Sequence, residues 1–321
     1  MIKTDVDLFN PDRICDSGQI FRMYRAGGEA SVFLIYSGDK RLVVSREGRE
    51  VFFHCGDDEY EAYWRHYLDM DRDYGYFASQ IDPKDDFLVR ACAAGKGLRI
   101  LNQDLFEMIV SFIVSQQKQI PSIRKCVEAL CERFGTLHED KSEPDGQGAS
   151  DGRQAPLRMG TDKSWYGFPT PQSIAEGGPE GLKGLSLGYR ERYIYETSCR
   201  FIEVEKDLRD AVAEKDFETV GKILLSMTGI GEKVAECIKL FACGDLDSFP
   251  VDTHIISIME REYGGKEAIV HSKQMQGSLP KKMTPSRARE RVREVFGKYK
   301  GFSGLVQQWI FAYEISTQKR R

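Results

Sequence analysis

Absences narrow the reading of this 321-residue chain before any motif does. No stretch is long and apolar enough to span a membrane as a helix, and the opening residues, MIKTDVDLFN, lack the apolar centre of a secretion signal. A non-secreted protein is expected, cytoplasmic or nucleoid-associated, or nuclear if the source is eukaryotic. Cysteine occurs eight times, at 15, 55, 92, 126, 131, 199, 237 and 243, but never as a Cys-x-x-Cys pair. That spacing favours reduced thiols over a disulfide frame. Four closely spaced ligand cysteines are missing too, and no cysteine follows Cys243, which speaks against an iron–sulfur cluster. There is no internal repeat. Nor is there an overall excess of positive charge: the net charge of −4 argues weakly against a nucleic-acid partner.

The average conceals an asymmetry. Residues 281–321 carry eleven Lys/Arg against three Glu, a local charge of +8, so the rest of the chain carries −12. This is either one basic face on an acidic protein or a solvated charged helix with a basic tail. With 41% hydrophobic residues the chain can bury a substantial core, and its length suits two domains. The first, residues 1–97, reads as β. The runs SVFLIYS (31–37), RLVVSRE (41–47) and REVFFHC (49–55) are separated by hairpin-like GDK and EGR turns, and an aromatic-rich helix follows over about Glu59–Tyr67. The second, residues 98–321, reads as helical. Asp104 caps a helix bearing Phe106, Ile109, Val110, Ile113 and Gln117; Pro121 sits in the first turn of another that stops at Gly135. Residues 138–163 and 264–285 lack period and read as mobile insertions. The last helix, about Gly304–Thr317, sets Leu305, Ile310 and Tyr313 among polar neighbours.

The chemistry concentrates in SMTGIGEKVAECIKLF (226–241). Val220, Ile223 and Leu224 predict a helix before the Gly229-Ile230-Gly231 turn, and Val234, Ile238 and Phe241 one after it. Two glycines allow a tight turn and leave the N–H groups of the second helix uncovered, which suits a phosphate. A Gly-x-Gly turn alone is more often only a turn. Lys233, however, stands in the first turn, where the helix dipole and desolvation both disfavour an ammonium. A lysine driven towards the neutral amine is a nucleophile able to form a Schiff base. Nineteen residues later, FPVDTHII delivers Asp252 as a helix N-cap, which does not preclude a catalytic use.

These residues carry a resemblance. LLSMTGIGEKVAECI followed by FPVDTH resembles the helix-hairpin-helix, Gly/Pro-rich loop and Asp signature of the base-excision DNA glycosylases, and within them the 8-oxoguanine DNA glycosylases. DSGQIFRM (16–23), DLFEMIVSFIVSQQKQI (104–120), GLSLGYRERYI (184–194) and GLVQQWIFAYE (304–314) fall in the family's order. The resemblance implies an α+β fold, with an N-terminal antiparallel β-sheet domain packed on a mainly helical domain that contains the helix-hairpin-helix. It implies a bifunctional enzyme, DNA N-glycosylase and abasic-site lyase, acting as a monomer on double-stranded DNA containing 8-oxoguanine. Lys233 matches the catalytic lysine that attacks the sugar C1′, and Asp252 the catalytic aspartate. Gly18 matches the glycine whose carbonyl accepts the N7–H of 8-oxoguanine. Phe311 and Cys237 match the two faces of the base sandwich, and Gln307 the reader of the pairing edge. His254 matches a phosphate contact, Gln117 a residue filling the vacated site and Tyr189 an aromatic wedge. Arg190, Gly229 and Gly231 count with the DNA-binding residues. No cofactor is implied as required, no iron–sulfur cluster and no metal ligands, although a monovalent or divalent cation at the hairpin is allowed.

The residues themselves support part of this. A flipped base needs stacking and edge hydrogen bonds, and Gln307 and Phe311 lie four apart, on one helix face. One departure stands out. Where the familiar eukaryotic members carry asparagines and then an arginine that reads the orphaned cytosine, this chain has Gln117, Lys118, Gln119 and then Ser122. Strict preference for cytosine is therefore not expected. The competing readings are a same-fold glycosylase for alkylated bases, which would not need Lys233, and a non-catalytic DNA-binding module, which would leave Lys233, Asp252 and Gly18 unexplained.

Overall fold

A computed structural model describes residues 1–26, 31–139, 164–264 and 283–318. The chain begins β1 (Ile2–Asp5), α1 (Pro11–Asp16), β2 (Met23–Ala26), β3 (Ser31–Ser37), β4 (Lys40–Glu47) and β5 (Glu50–His54). A helical stretch follows as α2 (Asp57–Glu59), a π-turn (Tyr60–Trp64) and α3 (Arg65–Tyr67), then α4 (Tyr74–Ser79) and α5 (Asp86–Ala94). Next come α6 (Leu105–Ser115), α7 (Ile120–Phe134), β6 (Leu137–Glu139), β7 (Ser164–Tyr166), α8 (Pro171–Gly181) and α9 (Arg190–Ala213). The remaining elements are α10 (Phe217–Leu225), α11 (Glu232–Ala242), α12 (Thr253–Tyr263), α13 (Pro285–Phe296) and α14 (Ser303–Gln318). An N-terminal five-stranded antiparallel sheet followed by a mainly helical region is the expected α+β class. No helix among the described residues is long and apolar enough to cross a membrane.

Two compact units divide this chain: residues 1–64, 103–205 and 227–229 form one, and residues 65–102, 206–226 and 230–321 the other. In the first unit the strands order as β1-β5-β4-β3-β2. Gly38 and Gly48, with φ of 54° and 59°, occupy the first loop position of two-residue hairpins, where only a residue without Cβ adopts that conformation freely. The register then sets Phe33 opposite Val44 and Val44 opposite Phe53, a buried row on one face. Helix α6 is buried along Leu105–Val114, as a helix apolar all round must be. Its one buried charge, Glu107, accepts the Gly38 N–H at 3.0 Å. Arg22 on the sheet side donates to Glu128 of α7 at 3.1 Å and to the Tyr166 carbonyl at 2.6 Å.

The expected caps are in place. Asp104 accepts the Glu107 N–H at 2.9 Å, and Pro121 lies in the first turn of α7, which ends at Gly135. Of the insertion read over 138–163, residues 140–163 lie outside the described residues. His138 and Glu139 belong to β6, which pairs with β7. Likewise 265–282 of the second insertion lie outside them, and Pro285 already begins α13. Part of the basic C-terminal stretch, 281–282 and 319–321, is outside as well.

In the second unit α14 lies against α5, and only glycine fits at position 95, because a Cβ there would come within 2.1 Å of the Trp309 ring. This contact explains a difference from the sequence pattern. Instead of alternating with exposed polar neighbours, residues Leu305–Ile310 are buried on every side, Gln307 and Gln308 included.

Candidate functional site

The expected site residues fall into two sets, one in each unit. The second unit holds Lys233, Cys237, Asp252, His254, Gln307 and Phe311, together with Gly231. Helix α11 starts behind Gly231 with no side-chain cap. Lys233, half-buried in its first turn, is hydrogen-bonded to the Cys237 thiol one turn on, and the Asp252 carboxylate is near enough to act on that same thiol. Burial pushes the Cys237 thiol up; Lys233 opposes the shift and Asp252 adds to it. A buried neutral thiol results, apolar enough to stack. Asp252 caps α12, its Oδ1 accepting the Ile255 N–H at 2.8 Å.

The loop that delivers Asp252 is tied down from both sides. Glu236 accepts the Phe249 N–H at 3.0 Å and pairs with Lys239 at 2.7 Å; Asp245 accepts from the Ser248 hydroxyl at 2.7 Å. The Gly304 N–H donates to the Leu246 carbonyl at 2.7 Å. Glu236 thus ties the helix that carries Lys233 to the loop that carries Asp252. Beside Lys233 opens a cavity of about 450 Å³, lined by Glu236, Phe249, Val251, Arg289 and Arg293 among others. Gln307 is 4% exposed; its Nε2 lies 3.5 Å from the Pro250 carbonyl and its Oε1 accepts from Gln308 at 2.8 Å. Phe311 is half-buried, with the exposed His254 ring edge-on at 6.2 Å.

The first unit holds Gly18, Gln117, Tyr189, Arg190 and Gly229. Gly229 has φ 84°, and a Cβ on it would come within 2.6 Å of the Tyr193 ring, so both conformation and space demand glycine. Gly231 differs from the expectation of a turn-making glycine. Its φ of −97° suits any residue, and nothing lies within 4 Å of where a Cβ would be. What its missing side chain leaves is open space at a helix start. Gln117 is exposed with φ 53°, a conformation rare for a residue with a side chain. Its neighbours explain how it is held: Gln116 donates to the Gly229 carbonyl at 2.8 Å, and Arg190 donates to the Gln116 carbonyl. Arg190 is therefore only 6% exposed, with a second bond to the Leu187 carbonyl at 3.0 Å. It lies over the ring of Tyr189, which is 48% exposed. The sequence placed Arg190 among the DNA contacts; the structure shows a buried clamp beneath an exposed tyrosine and an exposed glutamine. Gly18, with φ 74°, follows Ser17, whose hydroxyl donates to the Ile14 carbonyl, and precedes Gln19, whose carbonyl accepts from Gln103 at 2.8 Å.

An amine and a carboxylate held around one buried thiol suit nucleophilic substitution at a carbon that develops positive charge. Sequence reasoning missed Gln116, Glu236, Lys239 and Gln308. The one signal for the last was a second polar residue beside Gln307 in a stretch too short of charge to be surface. Among the described residues no group of three His, Cys, Asp or Glu side chains is arranged to hold a metal ion.

Residues 1–109 match the family model described as 8-oxoguanine DNA glycosylase, N-terminal domain, and residues 110–283 that of the HhH-GPD superfamily base excision DNA repair protein. The chain is 28% identical over 236 residues to an N-glycosylase/DNA lyase of Saccharomyces cerevisiae, covering 68% of this chain and 57% of that protein. It is 27% identical over 258 residues to N-glycosylase/DNA lyase OGG1 of Arabidopsis thaliana, covering 75% and 58%. The chain thus spans little more than half the length of these curated relatives. Among solved structures it is similar to the Clostridium acetobutylicum 8-oxoguanine glycosylase/lyase in complex with dsDNA containing cytosine opposite 8-oxoG. There the TM-score is 0.78 at 26% identity, over 98% of this chain and 94% of that one. A 3-methyladenine DNA-glycosylase from Archaeoglobus fulgidus shares the fold, with a TM-score of 0.66 at 19% identity over 98% of both chains.

Proposed function

Since this chain belongs to the HhH-GPD superfamily of base excision DNA repair proteins, we propose that it is a bifunctional DNA glycosylase and abasic-site lyase that excises 8-oxoguanine from duplex DNA. Lys233 Nζ attacks the sugar C1′ while the glycosidic bond breaks and its electron pair leaves with the base. Asp252 stabilises the positive charge that develops on the sugar. Ring opening yields a Schiff base on Lys233; loss of a C2′ proton then expels the 3′ phosphate by β-elimination. Gly18 accepts the N7–H that guanine lacks, Gln307 meets the pairing edge, and Phe311 and Cys237 stack on the base. Gln117 and Tyr189 occupy the vacated position in the duplex, and Arg190, next to Tyr189, holds the Gln116 carbonyl beside Gln117. The open helix start at Gly231 and the exposed His254 take backbone phosphates. The amine and the carboxylate suffice for this chemistry, so no cofactor is required, and the protein acts as a monomer.

The observation that carries this reading is that half-buried Lys233, in the first turn of α11, lines one cavity with Val251, the residue before the capping Asp252. A lysine placed only for charge would point to solvent. Borohydride should trap a covalent adduct between the protein and duplex DNA containing 8-oxoguanine, and Lys233→Gln should abolish both adduct and base release. An undiminished adduct in that variant would place the nucleophile elsewhere.

A further inference from the structure

Gln307 and Gln308 are consecutive residues of α14, both 4% exposed. Their carboxamides are joined: Gln308 Nε2 donates to Gln307 Oε1 at 2.8 Å. On its other side the Gln307 amino group faces the Pro250 carbonyl at 3.5 Å. Rotating the Gln307 carboxamide by half a turn would set oxygen against oxygen at Pro250 and amino group against amino group at Gln308. Turning both carboxamides together would keep their mutual bond but give up the Pro250 contact, so the Pro250 carbonyl sets the orientation and the Gln308 bond holds Gln307 in it. That bond carries a cost. With its Nε2 committed to Gln307, the buried Gln308 Oε1 has no hydrogen-bond partner among the described residues. A buried amide oxygen left unpaired is uncommon and destabilising, and an aliphatic residue at this position would avoid it.

We propose that Gln308 is a specificity-determining positioning residue, which locks the Gln307 carboxamide so that it offers one donor and one acceptor in a fixed order. This rests on the reading of Gln307 as the group that meets the pairing edge of the excised base. After the bonds to Gln308 and Pro250, Gln307 retains one N–H on Nε2 and one lone pair on Oε1. A guanine-type edge presents the O6 acceptor beside the N1–H donor; an adenine-type edge presents the N6–H donor beside the N1 acceptor. A carboxamide free to turn serves either edge, whereas a locked one serves one and meets the other with like against like.

The test is single-turnover excision from duplexes containing 8-oxoguanine or 8-oxoadenine. Both bases carry the C8 oxygen and the N7–H, so only the pairing edge separates them for this purpose. Gln308→Met keeps the chain length and removes the donor. The ratio of the two rates should fall by about tenfold, the scale of one neutral hydrogen bond. Binding to a duplex with a tetrahydrofuran abasic site, which has no base to read, should not change. A general structural fault would instead lower both rates and this binding together. Gln308→Leu, which carries no donor, covers the case in which the thioether does not pack, and the ratio should again fall. A wild-type ratio near one, or a ratio in both variants within about twofold of the wild type, overturns the role of Gln308 alone. A folded wild-type protein that releases neither base overturns the proposed function itself, and this inference with it.

Discussion

Replacing Glu107 with glutamine should remove a pH dependence of stability that the first unit carries in its core. Glu107 is fully buried in α6, and burial pushes its carboxyl from an ordinary value of 4.5 up to about 7, despite the Arg22 guanidinium and the Gly38 N–H, which act in the opposite direction. Asp104 and Glu128 face it as well and add to the rise. The sign follows from linkage. A carboxyl that holds its proton more tightly when folded contributes stability that is complete below 4.5 and is lost as the pH climbs through about 7. At about 1.4 kcal/mol for each tenfold difference in proton affinity, the interval from 4.5 to about 7 amounts to about 3 kcal/mol. Glu107→Gln has the same shape, can still accept the Gly38 N–H, and never ionises. Arg22 keeps Glu128 and the Tyr166 carbonyl as partners in the variant. Equilibrium urea unfolding of both proteins at steps from pH 4.5 to 8 isolates the effect, because every other titrating group is common to the two. The stability difference should move in favour of the variant by up to about 3 kcal/mol as the pH rises, and level off above pH 7. A difference that stays flat across the range would refute the argument that this carboxyl is held neutral by burial.

The other expectations concern the chemistry. Asp252→Asn should leave DNA binding nearly intact, since asparagine also caps a helix well, and slow base excision by about 10²- to 10³-fold, as when one electrostatic stabiliser is lost. A variant that unfolds at ordinary temperature with normal specific activity would leave Asp252 a cap alone. Ser122 lies exposed in the first turn of α7, too short to reach an orphaned base, so excision should be comparable opposite all four bases, and Ser122→Arg should shift it towards cytosine. Single-turnover rates on four duplexes decide this. A cytosine preference above about a hundredfold in the unaltered protein, near the top of what one lost base contact is worth, would mean that another residue reads the partner strand.

What the sequence disclosed, it disclosed through short-range rules. Strands β3 to β5 were legible because β-branched runs alternate between glycine turns, and Asp104 and Asp252 because a cap bonds the backbone three residues ahead. Lys233 was legible as a residue at odds with its helix dipole, and Cys237 stands one turn from it. The supporting groups were not legible, because their partners are distant or break the local period. Glu107, three residues after the capping Asp104, has the spacing of a capping box, yet it reaches a turn 69 residues away. Arg190 sits in the charged run YRER and reads as solvent-facing, but its partner is a carbonyl 74 residues earlier.

Gln307 and Gln308 sharpen the point. Consecutive residues of a helix point about 100° apart, so a narrow buried stripe would leave one of them at its edge. Both are buried because α14 is enclosed all round through its first turns, with Trp309 against Gly95. That enclosure is a property of the packed unit and leaves no trace in a hydrophobic period. It also turns two ordinary polar residues into a pair that must satisfy each other, which they do incompletely, at Gln308 Oε1. The same logic holds at Gln117, whose left-handed backbone follows a residue held twice, by the Gln116 side chain on the Gly229 carbonyl and by Arg190 on the Gln116 carbonyl. At both places a locally unfavourable arrangement is maintained by partners that sequence proximity does not reveal, and at both the side chain so presented is one that the proposed chemistry needs.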